Sequence, residues 1–372
     1  MHLQNGSGPR GEALTQRGAG GDCAPMRRLA PLFLALAACG AEASTPAPEP
    51  GAPGRPRERY EPVPTAAPLA NADDPASPDA KGAPYPLVFL HGMGGFEQLR
   101  LGKVSLDYWE GLAVSLAKDG ETEVFITQAP VYATSAARAK ALKPQIDAVL
   151  TKTGRAKVNL VGHSQGGIDA RYIASPAGLG YGDRVASVVT IATPHRGSRV
   201  ADASLGLVSG LPQGVVDDVV NGFLGLLEKT AYDLKSDPDL RGQATELTEK
   251  FMTQTFNPTI VDDPRVYYAS YAGRTNLRTG ALACDKATYA NEPGVVDAVN
   301  PLLRPTALFL EDGVKVVVND GLVTVDSARW GEFLQCVPAD HLKEIGMGDA
   351  PGGFEHRDFF RAIAKHLRSR GR

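Results

Sequence analysis

The sequence predicts an α/β fold: a mostly parallel central sheet flanked by helices on both faces, with a helical insertion late in the chain. Three observations carry this expectation. Short β-rich apolar runs, too short for typical helices, alternate with segments whose apolar residues recur at helical spacing. One such run passes directly into a helix through a glycine-flanked serine. The alternation then breaks over about 196–250 and resumes afterwards. The 372-residue chain has 43% hydrophobic and 22% charged residues, so it can bury a sizeable core. Its formal charge of -3 and lack of a long basic run exclude an electrostatic footprint for nucleic acid and a polybasic membrane patch. Small or apolar partners fit better.

The elements follow in order. Tyr85-Pro86-Leu87-Val88-Phe89-Leu90, ending at His91-Gly92, reads as a buried strand. Leu106, Trp109, Leu112, Ala113 and Leu116 recur at helical spacing, and Gly120 closes that helix. A strand over Glu123 to Thr127, a helix over about Ala136 to Leu150 and a strand from Lys157 to Val161 come next. A helix from Gln165 to about Ala174 and a strand from Val185 to Ile191 continue the pattern. Within the insertion Val216, Val219, Val220, Phe223, Leu224 and Leu227 form one apolar helical face, with Asp217, Asp218, Asn221 and Glu228 elsewhere. A strand from Val266 to Tyr271 and an amphipathic helix from about Phe354 to Leu367 complete the domain, expected over 85–372.

The N-terminal part is of a different kind. Met26-Arg27-Arg28 followed by the apolar run Leu29 to Ala38 has the form of a secretory signal, with Met26 as the start and 1–25 as an over-extended beginning. Leu36-Ala37-Ala38-Cys39-Gly40 resembles the lipobox of bacterial lipoproteins, which implies lipidation at Cys39 and an anchored product. The competing pattern is a cut after Ala41-Glu42-Ala43, which releases a soluble one. Residues 40–84 are rich in Pro and Ala and poor in large apolar residues, so they read as a disordered tether. Export leaves Cys284 and Cys336 as the cysteines of the folded part, and an oxidising compartment favours a disulfide between them. Two separate buried thiols are the alternative.

Gly162-His163-Ser164-Gln165-Gly166 fits G-x-S-x-G between a strand and a helix. A tight strand-to-helix turn leaves no room for flanking side chains, so glycine is needed there and the serine hydroxyl is lifted clear of the sheet. The helix N-terminus beside it offers free backbone N–H groups to a developing oxyanion. A serine nucleophile needs a base, and the base an orienting carboxylate, in chain order Ser, Asp or Glu, His. His341, in a loop-like stretch before the last helix, is the expected base, with His356 as fallback and His366 on the same helix. Asp320, after the strand-like run Lys315 to Val318, is the expected acid, with Asp312 and Asp326 as minor candidates.

Tyr85 to Phe96, Val161 to Gly167, Ala192-Thr193-Pro194-His195-Arg196-Gly197-Ser198, Asn319-Asp320-Gly321-Leu322-Val323 and Asp340-His341-Leu342 occur in this order. Together they resemble the secreted bacterial triacylglycerol lipases of the Pseudomonas and Burkholderia type, over roughly residues 85 to 370. The resemblance implies an α/β-hydrolase fold with a mobile lid at about 196–250, acting on long-chain acyl esters at an oil-water interface. It implies the triad Ser164, Asp320 and His341, an oxyanion hole from the backbone of Met93 and Gln165, and structural roles for His91 and His195. A secretion chaperone is a further expected partner. The family's structural calcium rests on two aspartates, whose positions fall here at Asn300 and Lys343, with Asp297 and Glu344 nearby. An ammonium in a ligand position repels calcium, so no metal and no cofactor is expected. A short-chain esterase or polyester depolymerase is the alternative within enzymes, and a non-catalytic envelope lipoprotein retaining the fold the alternative outside them.

Overall fold

A computed structural model of the protein describes residues 82–372, apart from 96–97, 102–103, 110, 211, 228–230, 276–283, 285–298, 312–316 and 348–353. Cys39, the signal-like segment, Asp297 and Asp312 lie outside the described residues. Three residues of the expected tether are inside them, and Ala83 is buried with its N–H donating to Glu121 at 2.7 Å.

The strands are β1 (Leu87–Leu90), β2 (Gln98–Leu101), β3 (Val104–Asp107), β4 (Val124–Ile126), β5 (Val158–His163), β6 (Val185–Ile191), β7 (Tyr267–Gly273) and β8 (Glu332–Val337). Six of them form one sheet in the order β4-β1-β5-β6-β7-β8. Every pairing in it is parallel. The other two strands form an antiparallel hairpin.

Side chains of a strand point alternately to the two faces of a sheet, and β1 divides its residues accordingly. Leu87 and Phe89 join Trp109, Leu112, Phe359 and Phe360 in the core under α1 (Leu112–Lys118) and the C-terminal helix His356–Ser369. Val88 and Leu90 pack on the opposite face with Leu142, Ile146 and Ile173, from α2 (Ser135–Thr153) and α3 (Gln165–Ala174). Thr134 caps α2 by accepting from the Ala137 N–H, and Gly154 ends it at φ 68°. Between β6 and β7 the chain leaves the sheet for α4 (Arg199–Ser204), α5 (Gln213–Leu226), α6 (Ala231–Ser236), α7 (Pro238–Glu246), α8 (Glu249–Phe251), a π turn over Met252–Phe256 and α9 (Asn257–Thr259). Val219, Phe223 and Leu224 of α5 are buried against Phe309 and Leu310 of α10 (Arg304–Leu310). After α10 come α11 (Val325–Ala328), β8 and α12, the C-terminal helix.

Three expectations need correction. Leu106 belongs to β3 and Trp109 to a turn, so the first helix starts only at Leu112. Gly111, at φ 62°, is the physical break that separates the two. The run before Asp320 is not a strand where it is described: Val317 and Val318 belong to no strand, and Asn319 makes a lone bridge to Thr324. Val318 instead packs with Val323, Val325 and Cys336 beside the sheet edge. Glu332–Val337, not anticipated as a strand, is the edge strand β8.

Candidate active site

Ser164 stands at the junction of β5 and α3 with φ 54° and ψ -129°. A non-glycine residue at positive φ is held there only by its surroundings, and both neighbours of the turn supply that constraint. A Cβ at Gly162 would lie 2.5 Å from the Gly166 carbonyl carbon, and one at Gly166 would lie 2.2 Å from the Leu90 carbonyl oxygen. The Ser164 N–H donates to Ile191 O at 2.9 Å, and its carbonyl accepts from Thr193 Oγ1 at 2.8 Å. The turn is thus tied to the end of β6.

Asp320 and His341 are brought together although their segments are separated by β8. His341 Nδ1–H donates to Asp320 Oδ2 at 2.8 Å, and the His341 backbone N–H donates to Asp320 O at 2.9 Å. The other carboxylate oxygen, Oδ1, accepts from the N–H groups of Leu322 at 2.8 Å and Val323 at 2.7 Å. His341 and Ser164 line the same cavity, with about 810 Å³ of empty space counting its open mouth. Met93, Phe223, Leu227 and Leu322 line it as well. Among the described residues the serine hydroxyl makes no direct hydrogen bond to His341; such contacts often tighten only around substrate.

The other candidates lie elsewhere. Asp326 is exposed on α11, His356 faces Glu355 at 3.4 Å, and His366 on α12 is hydrogen-bonded through Nε2 to Tyr267 Oη at 2.9 Å. His91 is a loop anchor: its Nε2 accepts from the Ala129 N–H at 3.0 Å and its Nδ1–H donates to Gly92 O at 2.9 Å. Burial, with the charge of Arg138, lowers its pKa from 6.5 to about 4. His195 is also buried and held well below the ordinary imidazole range, by desolvation first. It is stacked on Trp330 and hydrogen-bonded to Thr190 at 3.0 Å.

Met93 lines the same cavity as Ser164, and Gln165 follows the serine as the first residue of α3. The Gln165 side chain is fixed by Ala133 O at 3.2 Å and by Gln243. Neither backbone N–H, of Met93 or of Gln165, has an acceptor among the described residues. Cys284 and Cys336 are bonded to each other, with Cα atoms 5.1 Å apart. Where the calcium aspartates of similar lipases would fall, Asp340 joins the two segments by itself. Its oxygens accept from the N–H groups of Asn300 at 2.8 Å, Leu342 at 3.0 Å and Lys343 at 3.0 Å. Asn300 Oδ1 in turn accepts from the Leu302 N–H at 3.0 Å. These oxygens are engaged by backbone donors. Among the described residues, His163, His341 and Glu344 have metal-type donor atoms within 4.8 Å of one another, but His341 Nδ1 and His163 Nε2 are already hydrogen-bonded to carboxyl groups.

Tyr108, His163 and Glu344 are all buried beside the site; sequence reasoning assigned no role to Tyr108 or His163 and named Glu344 only as a residue near the expected calcium positions. Only the His-Ser neighbourhood in the motif hinted at one of them.

Residues 85–280 match the model of the family described as alpha/beta hydrolase fold. The chain belongs to the α/β-hydrolase family. This hydrolase is 31% identical to a triacylglycerol lipase of Vibrio cholerae over 269 residues, 70% of this chain and 79% of that one. It is 35% identical over 277 residues to a triacylglycerol lipase of Pseudomonas fragi, covering 72% and 89% of the two chains. Its fold is shared with the mature lipase of Bacillus licheniformis, at TM-score 0.54 and 20% identity over 79% of this hydrolase and 96% of that chain. It is also shared with the Staphylococcus hyicus lipase, at TM-score 0.52 and 19% identity over 80% and 98%.

Proposed function

We propose that this hydrolase is a lipase, cleaving carboxylic esters of lipid type, triacylglycerols first among them, through an acyl-enzyme on Ser164. The observation that carries the reading is the Asp320–His341 pair opening into the same apolar cavity as a strained serine. Ser164 Oγ attacks the ester carbonyl while His341 Nε2 takes its proton. The imidazolium that forms is stabilised by Asp320, whose second oxygen is already held by two backbone donors. The oxyanion takes the open N–H groups of Met93 and Gln165. His341 then protonates the departing alcohol, and water activated by the same imidazole releases the acid.

The apolar lining supports a long acyl chain, and Phe223, Leu226 and Leu227 in it belong to the end of α5 and the residue after it. In this reading α5 is the lid and 196–250 the lid region. The same reading has the chain exported and anchored through Cys39, and it has activity independent of calcium. Added EGTA is expected to leave the rate and the melting temperature unchanged.

The test is labelling by a fluorophosphonate, followed by a series of esters of increasing acyl length. The native protein is expected to label, Ser164→Ala to stay unlabelled, and activity to rise with chain length and with an emulsified surface. A maximum at short soluble esters, with no gain at an interface, would instead mark an esterase or polyester depolymerase. No labelling of the native chain would leave a binding protein.

A further inference from the structure

The two donors proposed for the oxyanion come from loops far apart in sequence, and their mutual placement must be fixed by something. Both peptide units before Met93 are clamped. In the first, the His91 carbonyl accepts from Arg138 Nη2 at 2.6 Å and the Gly92 N–H donates to Tyr108 Oη at 2.8 Å. In the second, the Gly92 carbonyl accepts from His91 Nδ1–H at 2.9 Å. A trans peptide points its C=O and N–H in opposite directions. Fixing the Gly92 carbonyl on the His91 side therefore aims the Met93 N–H the other way. That N–H is the one end of the two units with no acceptor among the described residues.

The Tyr108 oxygen that accepts from the Gly92 N–H is also hydrogen-bonded to His163 Nδ1, 2.7 Å away. On its other side the His163 ring is hydrogen-bonded through Nε2 to Glu344 Oε2 at 3.1 Å. All three side chains are buried. Burial raises the pKa of Tyr108 and of Glu344 and lowers that of His163 well below 6.5, so the three stay neutral and the link holds across the ordinary pH range. His163 immediately precedes Ser164, so a single phenol hydroxyl joins the loop of one oxyanion donor to the turn of the other. The approach is close: a Cβ at Gly92 would lie 2.7 Å from Ser164 Cβ and 2.8 Å from the Tyr108 hydroxyl.

We infer that Tyr108 is a positioning residue for the reaction, its hydroxyl holding the Gly92–Met93 loop in register with the Ser164 turn through His163. This rests on Ser164 being the nucleophile. Tyr108→Phe keeps the ring and removes the bridge. With the full-length protein and a soluble p-nitrophenyl ester, kcat is expected to fall about 10-fold, since small misplacement of a donor costs about that much or more. KM should stay within about 2-fold. The affinity of a boronic acid that forms a tetrahedral adduct on the serine should fall by the same factor as kcat.

An unchanged kcat overturns the inference, and so does a loss confined to KM or a boronic acid affinity that does not follow the rate. Should Tyr108→Phe not fold, His163 supplies the second comparison. His163→Asn offers an oxygen near the Nδ1 position, whereas His163→Leu offers none, so the leucine variant must lose more activity. Equal losses reject the bridge. If the native chain neither hydrolyses the ester nor labels with the fluorophosphonate, the reading of Ser164 fails and takes this one with it. If the native chain is active and Tyr108→Phe matches it, only the bridge fails.

Discussion

Both carboxylate oxygens of Asp320 are engaged: one is held by the Leu322 and Val323 N–H groups and the other by His341 Nδ1–H. In Asp320→Asn the amide oxygen satisfies the backbone donors and the NH₂ faces the imidazole. An NH₂ cannot accept from Nδ1–H, so the ring is forced into the wrong tautomer for taking the serine proton. We expect kcat to fall by about 10³ to 10⁴ with the fold intact, measured by steady-state kinetics beside a melting curve. A variant within about 10-fold of wild type would remove Asp320 from its proposed role. Ser164, Asp320 and His341 were legible in the sequence because each sits in a short motif, and the chain order of the motifs suits the fold. Tyr108, His163 and Glu344 were not, because their relation exists only in space, across 55 and 181 residues of sequence.

Among the elements, the turn between β5 and α3 is the most constrained. Gly166→Ala puts a methyl 2.2 Å from a backbone oxygen at the end of β1, which no side-chain rotation can relieve. Overpacking of this kind costs about 1–3 kcal/mol or more, and we expect the urea midpoint to fall accordingly; an unchanged midpoint would mean that the turn is looser than described. The strands buried on both faces were readable from composition alone, since Leu87–Leu90 and Val185–Ile191 are apolar or small throughout and fully buried. The edge strand β8 was not. Glu332 and Gln335 interrupt its apolar residues, as a half-exposed edge permits, and its parallel partner β7 lies far back in the chain. Lys315 to Val318 misled for the opposite reason: valines fit any buried surface, and Val318 found one without joining a strand.

For the molecule as a whole, the buried imidazoles set the response to acid. His91 titrates at about 4 in the folded state against 6.5 ordinarily, and His163 and His195 lie well below 6.5, all chiefly through burial. Between these values the unfolded chain binds protons that the native one does not, so stability is complete above about pH 6.5 and is lost as pH falls. His91 alone accounts for about 3 kcal/mol by pH 4. The carboxyls of Asp169, raised from 3.8 to about 6, and of Glu344, Asp202, Glu246, Asp262 and Asp340, all raised chiefly by burial, act in the opposite sense over part of that window. Between pH 7 and 4.5 the urea midpoint of His91→Gln is therefore expected to drop less, relative to its value at pH 7, than that of the native chain, and an equal drop would contradict the neutral, buried state of that ring.

The excursion holding α4 to α9 departs from β6 and rejoins at β7, strands that lie side by side in parallel register. Because the pair is parallel, the excursion leaves at the Ile191 end of β6 and returns at the opposite, Tyr267 end of β7, and neither the serine turn nor the aspartate–histidine pair is built from it. Chemistry and the shape of the roof above it are in that sense separately inherited. Transplanting the segment between Ser198 and Val266 from a relative, with Gln243 and its bond to Gln165 kept, should yield a chimera with an unaltered rate on a small soluble ester and a new preference among fatty tails.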